Sequence, residues 1–213
     1  NALDADALAR IYAAKGRPDF NPLIAHVATL QAAQLEGQFD QRAMALAKAL
    51  WPGPLTLVVP VQADGQVCEL ALAGLQTIGL RFPSHPVARA LLEAFGRPLV
   101  APSANPSGRL SPTSAAHVAA ELDPNVTLVL DGGVCEAGIE STIIAVIPGE
   151  PIRLLRPGAI GREVIESLVG KVSDGKTPGI MAPGQLASHY APMARVRLNA
   201  TVAKPGEVLL GFG

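Results

Sequence analysis

Leu55-Thr56-Leu57-Val58-Val59-Pro60 directly follows Trp51-Pro52-Gly53-Pro54, and the change of pattern at that junction decides the fold class. Before it, residues 40–50 are rich in Ala and Leu and read as a helix, which the Pro/Gly cluster stops. After it, β-branched residues in a short apolar run read as a buried strand. The same alternation continues outward. Toward the N-terminus, residues 22–27 read as a short buried strand, and residues 3–14 as a helix on Leu3, Leu8, Ile11 and Tyr12, ended by Gly16 and Pro18. Toward the C-terminus, strands are predicted at 77–81, at 99–101 as a central strand, and at 126–130, 141–146 and 152–155. Helices are predicted at 85–95, at 113–122 with Thr113 or Ser114 as N-cap, and at 162–168. Strands and helices mixed in this way give an α/β (α+β) chain, a mixed sheet with helices against it.

The composition is that of a buried, globular chain. Of 213 residues, 49% are hydrophobic and 16% charged, while aromatics are only 4%, so packing rests on Ala, Leu, Val and Ile. No apolar run approaches the ~20 residues of a membrane helix, and the first residues do not read as a signal peptide. Cys68 and Cys135 are too few for a disulfide framework or a metal site and are read as reduced core thiols of a cytoplasmic protein. A net charge of −1 excludes a global basic field for nucleic acid. A local basic groove remains open, because Lys15, Arg17, Arg81, Arg109 and Arg156 lie near apolar segments. From Gly170 the pattern changes: residues 173–184 read as a linker, and 195–198 and 207–210 as two strands of a second unit.

Several segments carry chemistry. Lys15-Gly16-Arg17-Pro18-Asp19-Phe20-Asn21-Pro22-Leu23 sets two cations and an amide on a proline-stiffened chain, as a polyanion requires, or as a solvated helix end would show. Ala101-Pro102-Ser103-Ala104-Asn105-Pro106-Ser107-Gly108, continuing to Thr113, follows a strand and precedes a helix, where ligands of open sheets sit. It carries no Walker pattern, and an ordinary capped loop is the alternative. Asp131-Gly132-Gly133 and Gly138-Ile139-Glu140-Ser141-Thr142 either place Ser141 against a ligand or make a hairpin turn. Arg81, flanked by apolar residues, must meet an acid or an anionic ligand such as an amino-acid carboxylate. His189-Tyr190-Ala191-Pro192 fits a lid or a domain anchor. No nucleophile or clustered metal ligands stand out, which suits substrates reacting with each other while the protein supplies position and charge.

Taken in order, these segments resemble the threonylcarbamoyl-AMP synthase family, built on the YrdC-like domain. The resemblance rests on Lys15-Gly16-Arg17-Pro18, Asn21-Pro22-Leu23, His26, Pro52-Gly53-Pro54-Leu55-Thr56, Arg81 with Pro83 and His85, the 101–113 segment, Asp131-Gly132-Gly133, Gly138–Thr142 and Leu155-Arg156-Pro157-Gly158. His189–Pro192 resembles the longer, two-domain members. The resemblance implies a twisted mixed sheet with a concave basic surface. It implies that residues 1–169 are the catalytic domain, 170–193 a linker or lid, and 194–213 the start of a truncated C-terminal domain. The family's opening strand and its Pro-Thr-Glu-Thr-Val-Tyr-Gly-Leu-Gly-like loop are expected ahead of Asn1.

The implied reaction makes threonylcarbamoyl-AMP and pyrophosphate from L-threonine, bicarbonate and ATP, with Mg2+ on the triphosphate. The product serves threonylcarbamoyladenosine modification of tRNA, through a downstream transferase complex. By resemblance, Lys15, Arg17, Asn21, Thr77, Ser103, Ser111, Arg156 and Tyr190 serve ATP, while His26, Arg81, Ala101 through its backbone, and Ser141 serve threonine. No acid, base or metal ligand is assigned. The alternatives are an RNA-binding YrdC-like module without synthase activity, and a carbamoyl-adenylate-forming maturation enzyme.

Overall fold

The computed structural model describes residues 1–122, 126–174, 179–185 and 195–210. Seven strands form one mixed sheet: β1 (Ile24–His26), β2 (Leu55–Pro60), β3 (Thr77–Arg81), β4 (Leu99–Val100), β5 (Thr142–Ala145), β6 (Arg153–Arg156) and β7 (Ser173–Asp174). Their order is β4-β1-β3-β2-β5-β6-β7. β1 runs parallel to β3, β2 to β5 and β6 to β7; the other three pairings are antiparallel.

The helices begin and end where local chemistry requires. α1 (Ala5–Lys15) starts where the Asp4 side chain accepts from Ala7 N–H at 3.0 Å and stops at Gly16, whose φ of 56° is left-handed. α2 (Leu30–Glu36) is capped by Thr29 and α3 (Gln41–Leu50) by Asp40. α4 (Glu69–Leu72) is one short turn. α5 (Pro86–Phe95) opens on proline, whose missing N–H costs nothing in a first turn, and closes at Gly96. α6 (Ala115–Leu122) has Ser114 Oγ accepting from His117 N–H at 3.3 Å, the expected cap. α7 (Arg162–Val169) is the last helix among the described residues.

The period-two rule splits the sheet into two faces. Ala25, Val27, Leu55, Leu57, Val59, Ile78, Leu80, Ile144 and Val146 enter the main core with Ala43, Leu46 and Ala47 of α3 and Ile165 of α7. Each large side chain buried there contributes roughly 1.5–3 kcal/mol over an exposed one. The opposite face carries Ile24, Val58, Ile143, Ala145 and Leu155, covered in part by Ala182 and Met181. That thinly covered face also bears the polar residues of the site.

Some expectations need correction. β4 is an edge strand and not a central one. Residues 126–130 are not a strand: they have no ladder among the described residues, and Leu128 is 72% exposed. Strand-like composition yields a strand only when a paired, half-buried surface receives it. Residues 195–198 and 207–210 likewise form no strand and lie exposed. The linker stretch begins with β7, whose Ser173 N–H reaches Ile152 O at 2.9 Å. Neither cysteine is a core residue: Cys68 is half-buried and Cys135 exposed. The short elements α2, α4 and β7 were missed, α2 despite a threonine cap signal. No helix among the described residues is long and apolar enough to cross a membrane.

Candidate active site

The sheet brings distant residues to one end. Parallel pairing sets His26 of β1 opposite Arg81 of β3. The antiparallel turn-back of β2 and its parallel pairing with β5 carry Pro54 and Ser141 to the same end, where Thr142 N–H donates to Pro54 O at 3.0 Å. β6 returns Arg156 opposite Ile143. Around this end lies a cleft of about 230 Å³. Its lining includes Arg17, His26, Arg81, Ala101, Ser103, Ser141 and Arg156, together with Glu140 and Pro183.

Arg17, Arg81 and Lys15 are each aimed by neutral groups. Arg17 donates to Asn21 O at 3.1 Å, Asn21 Oδ1 at 2.8 Å and Pro22 O at 2.6 Å. Asn21 is buried, so it orients Arg17 and does not itself line the cleft. Arg81 Nε donates to Gly53 O at 3.3 Å. Gly53 sits so close to Leu50 O, 2.3 Å from where a Cβ would stand, that only glycine fits the turn. The Pro-Gly-Pro sequence therefore holds the carbonyl that orients Arg81. Lys15 is buried, and its ammonium donates to Ser103 O at 2.5 Å and also to Asn105 O. The structure thus gives Lys15, expected to serve phosphate, two loop carbonyls as partners. Two of its three donors are turned onto these carbonyls, so it fastens the 102–108 loop beside the cleft.

Arg156 is held most tightly. It donates to Ser141 O at 3.1 Å and 3.0 Å, to Ser141 Oγ at 3.1 Å, and to Glu140 Oε2. Ser141 Oγ also lies 2.8 Å from Thr56 Oγ1, and Ser111 Oγ donates to Glu140 Oε1 at 2.8 Å. Gly158 explains the Arg-Pro-Gly sequence: a Cβ there would stand 2.4 Å from both Glu140 O and Thr142 N. Gly184, with φ of +92°, packs in the same manner on Arg156 Cδ.

The charges do not balance. Among the described residues, three guanidiniums and one carboxylate line the cleft, and Arg17 and Arg81 pair with no carboxylate. Burial pulls both guanidiniums below their ordinary range; for Arg17, Tyr12 and then Glu140 oppose it, while for Arg81, Arg156 adds to it and Glu140 opposes it. Burial, reinforced by Arg81, takes His26 down to about 3, so its imidazole is neutral. Its Nδ1 lies 3.2 Å from Ile24 O. A carbonyl only accepts, so Nδ1 carries the proton and Nε2 is an acceptor. Such a ring recognises a hydroxyl or an amine N–H; it is a poor proton acceptor for catalysis near neutral pH. Burial also takes Lys15 down to about 8. The whole is a preorganised cationic cleft with a neutral imidazole acceptor at its side.

Thr77 is not brought in. It lies four residues from Arg81, paired with Pro60 at the other end of β3, roughly 13 Å away along the strand. Ser111 reaches the cleft only through Glu140. Arg109 is exposed and does not line the cleft. Tyr190 and the rest of His189–Pro192 lie outside the described residues. Sequence reading missed Thr56 and Glu140 as parts of the site, although both stood within quoted segments. The Asp131-Gly132-Gly133 turn docks on His85, whose Nε2 lies 3.2 Å from Gly132 O. A larger cavity of about 400 Å³, between α2, α5 and the loop after β2, is lined by Glu36, Asp64 and Glu93 against Arg97. Its charge has the wrong sign for a polyanion. No cluster of metal-ligating side chains occurs among the described residues.

Comparison with known proteins gives the chain its relatives. The Sua5/YciO/YrdC family model, described as "Telomere recombination", matches residues 1–158. A Bacillus subtilis protein named threonylcarbamoyl-AMP synthase is 44% identical over 201 residues, covering 91% of this chain and 57% of that protein. A Pyrococcus abyssi protein of the same name is 43% identical, covering 92% of this chain and 59% of that protein. The chain thus spans less than two thirds of these relatives. The crystal structure of P. abyssi Sua5 complexed with L-threonine superposes with a TM-score of 0.86 at 43% identity, over 91% of this chain and 58% of that one. With its mixed sheet, its cationic cleft and a model match over most of its length, the chain belongs to the Sua5/YciO/YrdC family.

Proposed function

We propose that this chain carries the L-threonylcarbamoyladenylate synthase reaction. The amine of L-threonine and bicarbonate form a carbamate with loss of water. A carbamate oxygen then attacks the α-phosphorus of ATP, the bond to the β-phosphate oxygen breaks, and pyrophosphate leaves. The observation that carries this reading is one cleft in which three guanidiniums outnumber the carboxylate while a neutral imidazole keeps an acceptor nitrogen. The names of relatives at 43–44% identity support it.

In this reading Arg17 and Arg156 take the triphosphate, where charge develops as pyrophosphate leaves. Ser103 and Ser111 serve the nucleotide. Asn21 acts through Arg17, and Lys15 by holding the 102–108 loop. Arg81 takes the threonine carboxylate, and the neutral His26 accepts from the threonine hydroxyl or amine. Ser141 and the Ala101 backbone complete the amino-acid side. Thr77 and Tyr190 retain their nucleotide roles on the family resemblance alone. Mg2+ enters with the triphosphate as part of the substrate. Residues 1–169 act as the catalytic domain, and 170–193, which contribute β7 to its sheet, lead as a linker to a second unit at 194–213. The product passes to tRNA modification in the cytoplasm.

The test is pyrophosphate release from ATP and bicarbonate with and without L-threonine. Release that requires threonine supports the reading. Release that ignores threonine contradicts it.

A further inference from the structure

We propose that Glu140 is a positioning residue for the nucleotide: one carboxylate fastens Arg156 and Ser111, from separate segments, into a single arrangement. The inference rests on reading the cleft as a nucleotide site.

The two carboxylate oxygens have different partners. Ser111 Oγ donates to Oε1 at 2.8 Å, and Arg156 donates to Oε2. On its other side the Arg156 guanidinium is held by Ser141 O and Oγ. Glu140 therefore closes a clamp that fixes the plane of the fork, and a fork recognises phosphate oxygens only when its plane is fixed. Glu140 is itself anchored. Its carbonyl accepts from Ala159 N–H at 3.3 Å, and the close approach of Gly158 leaves that backbone little freedom. Without Glu140, the long 111–140 segment and β6 lose the side-chain link that joins Ser111 to Arg156.

Charge alone argues the other way. A carboxylate in an anion-binding cleft repels a triphosphate and offsets part of the attraction of Arg17 and Arg81, both of which feel it. A purely electrostatic Glu140 would weaken nucleotide binding, and its neutralisation would strengthen it. A positioning Glu140 has the opposite sign. Glutamine is the informative replacement. It is isosteric and its oxygen can still accept from Ser111, but its amide then presents donors to Arg156.

The experiment is calorimetric titration of the wild-type chain, E140Q, S111A and the double variant with a non-hydrolysable ATP analogue, and separately with L-threonine. Expected is a loss of nucleotide affinity of about tenfold or more in E140Q, with threonine affinity changed less than about threefold. The double variant should lose no more than about twofold beyond E140Q, because both changes open one clamp. Unchanged or tighter nucleotide binding by E140Q overturns the proposal, as does a double variant whose loss is the product of the single losses. Should E140Q fail to fold, S111A decides alone: nucleotide affinity equal to wild type overturns the clamp. A wild-type chain that binds neither ligand overturns this inference together with the reading of the cleft. A wild-type chain that binds nucleotide beside an unaffected E140Q overturns this inference only.

Discussion

Replacing Arg156 with leucine removes one half of the best-enclosed ion pair in the cleft. The Arg156 and Glu140 side chains are 9% and 17% exposed, so water can rescue neither of them fully. The change deletes the pair itself and three further contacts to Ser141, at 3.1, 3.0 and 3.1 Å. Removing one partner of a buried pair costs about 3–5 kcal/mol, because the remaining charge stays desolvated. For a chain of this length that corresponds to a fall in Tm of roughly 2–4 °C per kcal/mol. The origin of the cost can be separated from the contacts. If the penalty lies in the stranded carboxylate, E140Q combined with R156L should be more stable than R156L alone, by about 1–3 kcal/mol. Urea unfolding of the four proteins in a double-mutant cycle measures this. Simple addition of the two losses would refute the argument, as would an R156L chain within about 0.5 kcal/mol of wild type.

Other outcomes follow from the same geometry. Arg81→Ala should weaken L-threonine binding by roughly tenfold to a hundredfold while ATP affinity falls far less; equal losses in calorimetry would make Arg81 a structural residue. His26, held down to about 3, binds a proton in the unfolded chain at a pH where the folded chain does not. Its contribution to stability is therefore complete above about 6.5 and is lost as the pH falls toward 3, at up to about 1.4 kcal/mol per unit; an NMR titration showing an ordinary imidazole would contradict this. Gly158→Ala should destabilise by about 1–3 kcal/mol, since the new methyl meets the backbone of Glu140 and Thr142 and not a side chain that can turn away. Unfolding in urea checks it.

The sequence was most legible where a local pattern met a full set of partners. Residues 55–60 and 77–81 read as strands and are strands, because both are interior to the sheet and packed on the main core. Residues 126–130 had the same look and are exposed coil, since composition does not supply a pairing partner. The site was legible as a set of segments, because proline, glycine and serine occur where the chain must turn at strand ends. Its division of labour was less so. Nothing in Lys15 as a letter tells that its ammonium turns to Ser103 O and Asn105 O. Equally, Thr77 and Arg81 share one strand and one face, and only the strand's rise separates them. Glu140 stayed hidden among neighbours with clearer motifs, because its importance lies in contacts to residues 29 positions before it and 16 after it.

The most direct test of the central claim is a structure of the chain with L-threonine and a non-hydrolysable ATP analogue bound together. The account predicts the threonine carboxylate on Arg81, its polar groups toward His26, and the phosphates on Arg17 and Arg156. Nucleotide bound instead in the larger acidic cavity beside Glu36, Asp64 and Glu93, with the cationic cleft empty, would contradict it.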